Sequence, residues 1–127
     1  MEKKIIFTDK APAPIGPYSQ AVLVGNTLYT SGQIALNPET GHLNDHTLED
    51  ETHQVMKNLK AVLEAAGMTF ENVVKTTIFL TDMEDFARVN AVYGSYIDEK
   101  TAPARETVQV SVLPKNVNVE ISMVAIH

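Results

Sequence analysis

Val73-Val74-Lys75-Thr76-Thr77-Ile78-Phe79-Leu80 is the most β-rich run of this 127-residue chain, and its β-branched and aromatic residues predict a strand. Before it, apolar residues recur at helical spacing from Val55 to Ala66, which indicates an amphipathic helix. We expect that helix to begin near Thr47–Glu49, where a capping threonine precedes acidic residues, and to stop at Gly67. The strand therefore follows directly on a helix.

A second helical pattern comes after the strand and starts at a cap near Thr81 or Asp82. Its predicted inner face consists of Phe86, Val89, Asn90, Tyr93, Tyr96 and Ile97. Asn90 is the polar member of this stripe. The simpler interpretation is a buried amide that bonds to a loop carbonyl, and the functional alternative is a contact with a ligand or another chain.

Short strands separated by turn residues precede the first helix. Lys4–Thr8 predicts an edge strand, and the three prolines of Ala11–Tyr18 exclude both a helix and a ladder strand there. This proline-rich segment is stiff and suited to holding its last residue in place. Tyr18–Val24 and Thr27–Ile34 predict a hairpin, because the Gly25-Asn26 pair between them tolerates positive φ.

The C-terminal third predicts a second hairpin, with strands Glu106–Val112 and Val117–Ile126 joined by the turn residues Leu113–Asn116. Each strand alternates apolar and polar residues, so we expect one apolar face toward the helices and one mixed face away from them. The residues expected to face the helices are Val108, Val110 and Val112, then Val117, Val119, Ile121 and Met123.

The resulting order is β-ββ-α-β-α-ββ, which predicts an α+β fold: a single mixed β-sheet of about six strands with two helices packed on one face. Residues 1–127 are expected to form one domain. The other face of the sheet is a problem for a monomer, because five apolar strand residues cannot all lie beneath the helices. These residues are Leu28, Val74, Ile78, Val124 and Ile126. An exposed patch of that size predicts association with cyclic symmetry.

Composition limits the possible functions. The formal net charge of −6 and the two arginines argue against a nucleic-acid partner, which would require a basic stripe. No cysteine is available as a nucleophile or metal ligand, and the four histidines lack metal-site spacing. We expect no metal, no cofactor, no membrane span, no signal peptide and a cytoplasmic location.

The polar residues left for chemistry lie at strand ends and in the stiff loop. Arg105 follows a proline-containing loop, and a guanidinium can hold a carboxylate with two parallel hydrogen bonds. Glu120 interrupts an apolar strand, although the two residues alone suggest only an ion pair at a sheet edge. Tyr18 and Ser31-Gly32 complete the set of candidate residues. A glycine inside a strand, such as Gly32, marks either a close approach of the backbone to another group or a position that relieves the twist of the strand.

A tight hairpin around Pro114-Lys115 would place Glu120 opposite Gln109. Arg105 would then lie about 13 Å from Glu120 along the ladder, too far apart for one small substrate. We therefore expect a site to draw on two chains.

The chain also resembles the Rid (YjgF) family, in particular its RidA-type reactive-intermediate deaminases. The resemblance runs in order along nearly the whole sequence. The segments that carry it are Ala11–Gln20, Thr30–Ile34, Val74–Thr77, Asp85–Asn90, Ala102–Arg105 and Leu113–Ile121.

This resemblance implies a chorismate-mutase-like fold and a homotrimer with sites in the clefts between subunits. It also implies hydrolysis of enamines and imines, such as 2-aminoacrylate and other 2-imino acids, to 2-oxo acids and ammonia without a cofactor. The family's arginine and carboxylate fall on Arg105 and Glu120, the implied catalytic pair. Its substrate-binding residues fall on Tyr18, Ser31, Gly32, Asn90 and Arg105, with Thr107 where many members carry cysteine.

In the implied mechanism Arg105 holds the substrate carboxylate with help from backbone amides near Gly32 and Thr107. Glu120 orients the attacking water, and Tyr18 closes the pocket. Three alternatives remain at this point. The first is a regulatory trimer that binds 2-oxo acids or other small metabolites without turnover. Action on RNA and chorismate-mutase chemistry fit the charge of the chain less well.

Overall fold

Two helices cover one face of the sheet in the computed structural model, which describes residues 2–127. Helix α1 spans Leu48–Ala65 and helix α2 spans Phe86–Gly94. The Thr47 hydroxyl accepts a hydrogen bond from the Asp50 N–H at 3.0 Å, which caps α1 as predicted. Gly67 has a φ of +73°, a left-handed conformation that ends a helix and that glycine adopts without strain.

Six strands form a single sheet in the order β1-β2-β3-β6-β4-β5. Only the β4–β5 pair is parallel, and the other neighbouring strands are antiparallel. The strands are β1 (Lys3–Ile6), β2 (Ala21–Val24), β3 (Thr27–Thr30), β4 (Val73–Leu80), β5 (Ala104–Gln109) and β6 (Val119–Ile126). Short 3₁₀ turns lie at Phe70–Asn72, Met83–Asp85 and Glu99–Thr101, and a turn with left-handed residues lies at Pro114–Asn116. The predicted element order and α+β class are confirmed.

The core lies between the helices and the face of the sheet that they cover. On β6, alternate residues from Val119 to Ala125 are buried, and Thr76, Ile78 and Leu80 of β4 lie beneath the helices beside them. The other face of the sheet carries no helix among the described residues, and we call it the open face. Of the five apolar residues that were expected not to fit beneath the helices together, Leu28 and Ile78 are buried in the core, whereas Val74 and Ile126 stay exposed.

The predicted C-terminal hairpin is wrong. β5 and β6 are not neighbours, because β4 lies between them and pairs with both. Turn residues after Leu113 reverse the direction of the chain, but they do not determine which strand pairs with β6. Since four alternate side chains of β6 are fully or almost fully buried, burial favours a place inside the sheet between β3 and β4.

The predicted orientation of β5 is also wrong. Val108 is 43% and Val112 is 63% exposed, and neither lies beneath the helices. The parallel register sets Arg105 beside Thr76 and Thr107 beside Ile78, so the polar residues of β5 share the helix-covered face. Polar residues therefore turn toward α2 at this edge of the sheet.

The first hairpin is confirmed, since Val24 pairs with Thr27 across a two-residue turn. Its strands are shorter than predicted, and β3 ends at Thr30 before a lone bridge joins Gln33 to Ile121. Within residues 2–127, no helix is long and apolar enough to cross a membrane. Met1, the first residue of the predicted 1–127 domain, lies outside the described residues.

Candidate functional site

A cavity of about 400 Å³ opens beside the first hairpin and is lined by Tyr18, Ser31, Gly32 and Glu120. We call it the Glu120 pocket. Four residues expected to act on substrate therefore meet in one place. Its remaining walls are mainly apolar, contributed by Pro12, Ala13, Ile15, Ile34, Leu36 and Pro114, with Gln20, Gln33 and Lys115 as polar members.

Gly32 lies directly against the Glu120 carboxylate. A Cβ atom at position 32 would stand 2.6 Å from Glu120 Oε2 and 2.7 Å from its carboxyl carbon, closer than real contacts allow. The close backbone approach, one of the two interpretations of this glycine, is thus what the structure shows. It follows that even alanine would displace the carboxylate or the loop.

Burial raises the pKa of Glu120 above its ordinary value of 4.5. Among residues 2–127 no lysine, arginine or histidine forms a salt bridge with this carboxylate. A carboxyl group with a raised pKa, set in an apolar cavity, is suited to exchanging protons with a bound molecule.

The proline-rich loop is held in place by Gln20, a residue that the sequence did not single out. Its side chain is buried, accepts a hydrogen bond from the Thr8 N–H at 2.8 Å and donates one to the Pro12 carbonyl at 2.9 Å. Ser31 reinforces the base of the loop by donating its hydroxyl to the Ser19 carbonyl at 2.6 Å. These bonds fix the wall of the pocket to the sheet, while Tyr18 remains half exposed.

Arg105 belongs to a separate group, which we call the Arg105 cluster and define by Phe86, Asn90, Tyr93, Arg105 and Thr107. Its guanidinium donates to Asn90 Oδ1 at 2.7 Å. The same group lies 5.1 Å from the Tyr93 ring centroid and 5.6 Å from that of Phe86. These distances permit cation–π attraction to both rings. α2 therefore orients the cation through one amide and two aromatic side chains.

Two members of the Arg105 cluster differ from expectation. Asn90 is exposed and bonds to Arg105, so the prediction of a buried amide held by a loop carbonyl is wrong. The Thr107 hydroxyl oxygen is buried without a hydrogen-bond partner among the described residues, although such a group ordinarily costs about 1–3 kcal/mol. Both residues surround the cation that could receive an anionic ligand.

The two groups lie on opposite faces of the sheet. Arg105 pairs with Thr76 on the helix-covered side of β4, whereas Glu120 pairs with Phe79 on the open face. Three residues along β4 and two strand spacings across it separate their Cα atoms by about 14 Å. Arg105 does not line the Glu120 pocket. Within one chain, the predicted catalytic pair is therefore divided.

Sequence reasoning missed the supporting residues of both groups. In the sequence, Gln20 is a single polar residue of a predicted strand. No neighbouring residue indicates that its side-chain amide bonds to the proline-rich loop. Phe86 and Tyr93 were predicted as core residues, and their contact with Arg105 depends on the parallel β4–β5 register. Among residues 2–127, no cluster of three or more histidine, aspartate or glutamate side chains could hold a metal ion.

A family model described as endoribonuclease L-PSP matches residues 8–127. The chain belongs to this family, the Rid (YjgF) family. A RutC family protein of Synechocystis is 56% identical over 127 residues, covering 99% of this chain and 98% of the relative. A Mus musculus protein named 2-iminobutanoate/2-iminopropanoate deaminase is 49% identical over 125 residues, covering 98% and 92%.

Among solved structures of Rid relatives, Escherichia coli TdcF with bound serine superposes with a TM-score of 0.92. It shares 43% identity, and the alignment covers 98% of both chains. The family assignment and the fold predicted from the sequence are confirmed.

Proposed function

We propose that this Rid protein hydrolyses 2-imino acids and their enamine tautomers, such as 2-aminoacrylate, to 2-oxo acids and ammonia. The observation that carries the proposal is the Glu120 carboxyl group, which lies against Gly32 in an apolar cavity and whose pKa is raised by burial. A group in this environment is suited to exchanging protons with a substrate. Support also comes from the deaminase name of the mouse relative, at 49% identity.

The chemistry balances without an added group. Water adds to the C=N carbon, and the ionised Glu120 carboxylate takes one proton from that water. Glu120 returns this proton to the former imine nitrogen, which completes a carbinolamine with one OH and one NH2 group on the same carbon. The carboxylate then takes the hydroxyl proton and passes it to the nitrogen, so that the C–N bond breaks, ammonia leaves and the C=O bond forms. An enamine first takes a proton on its β-carbon to become the imine. Proton transfer of this kind contributes roughly 10²–10⁴-fold to rate.

Arg105 supplies the carboxylate site in this proposal. Asn90 occupies one nitrogen of the guanidinium at 2.7 Å, which leaves other N–H donors for a planar carboxylate. Backbone amides near Gly32 and Thr107 add donors, and Ser31 and Tyr18 shape the pocket around the substrate. No cofactor is needed, because the imine is already electrophilic toward water.

The division of Arg105 from Glu120 leads us to propose that each site is shared between two chains. The Glu120 pocket of one protomer would receive the Arg105 cluster of the next, and cyclic repetition would give a homotrimer. The open face supports association, because Tyr29, Val108 and Ile126 are 52%, 43% and 45% exposed on it. Sedimentation at micromolar concentration should give about three times 13.9 kDa, and a stable monomer would contradict the shared site.

The remaining alternative is a trimer that binds 2-oxo acids at the same residues without turnover. The rate of pyruvate release from 2-iminopropanoate distinguishes the two functions. 2-Iminopropanoate, generated in situ from alanine by an amino acid oxidase, should yield pyruvate faster when the protein is added. An unchanged rate of pyruvate release, with pyruvate binding seen by calorimetry, would favour the binding protein. Nucleic acid is not an expected partner, and the cytoplasmic location stays a prediction.

A further inference from the structure

Glu51 is a fully buried carboxylate that the proposed mechanism does not use. It lies in the first turn of α1 and is 0% exposed. Among residues 2–127 no lysine, arginine or histidine forms a salt bridge with it. Its carboxylate oxygens accept hydrogen bonds from Asn118 and Val119, where the chain enters β6. Since a buried carboxylate needs hydrogen bonds to offset its desolvation, these donors hold it in place.

The contacts bind two consecutive backbone amides. Glu51 Oε2 accepts from the N–H groups of Asn118 at 2.7 Å and Val119 at 3.1 Å, and Oε1 accepts from the Asn118 side-chain amide at 2.8 Å. Hydrogen bonds to an ionised acceptor are stronger than neutral ones. We call these three bonds the Glu51 clamp. They fix the residues immediately before Glu120.

The clamped segment follows a strained turn. Lys115 and Asn116 both have φ of +57°, a left-handed conformation that is uncommon for non-glycine residues. Pro114 and Lys115 of that turn also line the Glu120 pocket. The clamp therefore holds the start of the strand that carries the Glu120 carboxylate, just after a turn that lines the same pocket.

Glu120 is placed between two fixed points. On one side is the clamp, and on the other Ile121 exchanges both backbone hydrogen bonds with Gln33, at 2.8 and 3.1 Å. Because Gly32 leaves no free space against the carboxylate, a small shift of β6 would move Glu120 relative to its substrate. Misplacement of a reacting group by about 1 Å can cost on the order of 10²-fold in rate.

We propose that Glu51 is a positioning residue that holds Glu120 in its reactive place from the helix side of the sheet. This inference rests on the proposed deaminase function. The first test is Glu51→Leu, which leaves both backbone N–H groups without an acceptor. We expect kcat to fall about tenfold or more with KM changed little, since Arg105 binds the carboxylate on a different strand. Glu51→Gln keeps a carbonyl acceptor and should recover most of the loss.

A matched control separates positioning from loss of stability. Thr52 is the adjacent, equally buried residue of α1, and its hydroxyl donates to the Leu48 carbonyl at 2.8 Å. Thr52→Val removes that bond without touching the clamp, so it should lower the unfolding temperature and leave kcat unchanged. If Glu51→Leu does not fold, Glu51→Asp replaces it, because the shorter side chain withdraws the acceptor while keeping the charge.

The second readout does not depend on turnover. The Glu120 carboxyl carbon can be titrated by NMR and assigned by its loss in Glu120→Gln. In Glu51→Leu or Glu51→Asp the pKa of Glu120 should fall toward its ordinary value, whereas Thr52→Val should leave it unchanged. A wild-type protein without deaminase activity would refute the proposed function, and this titration alone would then decide the role of Glu51. An unchanged titration of Glu120, or a kcat in the Glu51 variant no lower than that of Thr52→Val, would overturn the inference.

Discussion

Arg105 and Glu120 lie on opposite faces of one sheet although both are paired to the same strand. Arg105 is the partner of Thr76, and Glu120 is the partner of Phe79 three residues farther along β4. Because adjacent strand residues alternate between faces, an odd separation sends the two side chains in opposite directions. This division is the reason for the proposal that the two groups meet on one substrate only between two copies of the chain.

Arg105→Lys should lose most of the activity although the positive charge is kept. Lysine is a point donor, so it cannot hold a carboxylate with a planar fork or stack between Phe86 and Tyr93. The expected penalty is roughly 2–5 kcal/mol in transition-state stabilisation, measured as kcat/KM. Arg88→Lys is the matched control, because Arg88 also makes a bidentate contact, with Glu49 at 2.8 Å. Equal activity in both variants would contradict the proposal that Arg105 binds the substrate carboxylate.

Glu120→Gln should abolish turnover and yet stabilise the protein at neutral pH. The raised pKa means that the folded chain keeps a proton on Glu120 above pH 4.5, where the unfolded chain has lost it. Wild-type stability therefore falls as the pH rises from 4.5 through the folded pKa, and the glutamine variant lacks this fall.

Denaturant unfolding of both proteins across that pH range measures the effect. The advantage of Glu120→Gln should grow with pH and then level off. A wild-type protein that is more stable than the variant at pH 7, and less so in acid, would show that the pKa of Glu120 is lowered instead.

Gly32→Ala should reduce activity strongly, because the added methyl group would meet the Glu120 carboxylate at 2.6 Å. The loss should appear mainly in kcat, since Glu120 handles protons in the proposed mechanism. Gly94→Ala provides the control, because a Cβ there meets no atom within 4 Å and the residue ends a helix. Steady-state kinetics of both variants would decide, and a fully active Gly32→Ala protein would contradict the observed packing.

Thr107→Val should stabilise the protein by about 1 kcal/mol, because it replaces a buried hydroxyl that has no hydrogen-bond partner among residues 2–127 with a methyl group of similar size. Activity should persist, since the proposed role of Thr107 belongs to its backbone amide. Thr76→Val on the neighbouring strand gives the opposite expectation. Its hydroxyl accepts from the Tyr93 hydroxyl at 2.9 Å, so the variant should lose stability. Equal losses in both variants would mean that Thr107 has a partner.

The helices and the first hairpin could be predicted because their signals are local. The Thr47 cap, the stop at Gly67 and the Gly25-Asn26 turn each act within a few residues of chain. The position of β6 could not be predicted, since it depends on pairing with β3 and β4, which are distant in sequence. Turn residues at Leu113–Asn116 reverse the chain without choosing its neighbour.

The candidate site was predicted by residue type and motif rather than by arrangement. The sequence indicated Arg105, Glu120, Tyr18 and Gly32, but the polar residues of β5 were expected on the face away from the helices. The separation of Arg105 from Glu120 across the sheet was therefore not predicted. The expectation that a site draws on two chains rested on the incorrect hairpin register, and the opposite-face geometry now supplies a different reason for it. Gln20 and Glu51 escaped notice because long-range hydrogen bonds from single polar residues leave no periodic pattern.

The central claim is that Arg105 of one chain serves the Glu120 pocket of another, and mixing inactive subunits tests it. Arg105→Ala and Glu120→Gln proteins would be unfolded together and refolded at equal amounts. Random cyclic trimers would contain one intact site in each mixed trimer, or about one quarter of all sites. Glu120→Gln mixed with Gly32→Ala is the control, because both changes damage the same pocket and no mixture can restore it.

The decisive measurement is pyruvate release from 2-iminopropanoate by the refolded Arg105→Ala and Glu120→Gln mixture, with mixed trimers verified by native mass spectrometry. Recovery to about one quarter of the wild-type rate, with none in the control mixture, is the result that a shared site predicts. Mixed trimers that remain as inactive as either parent protein would contradict it.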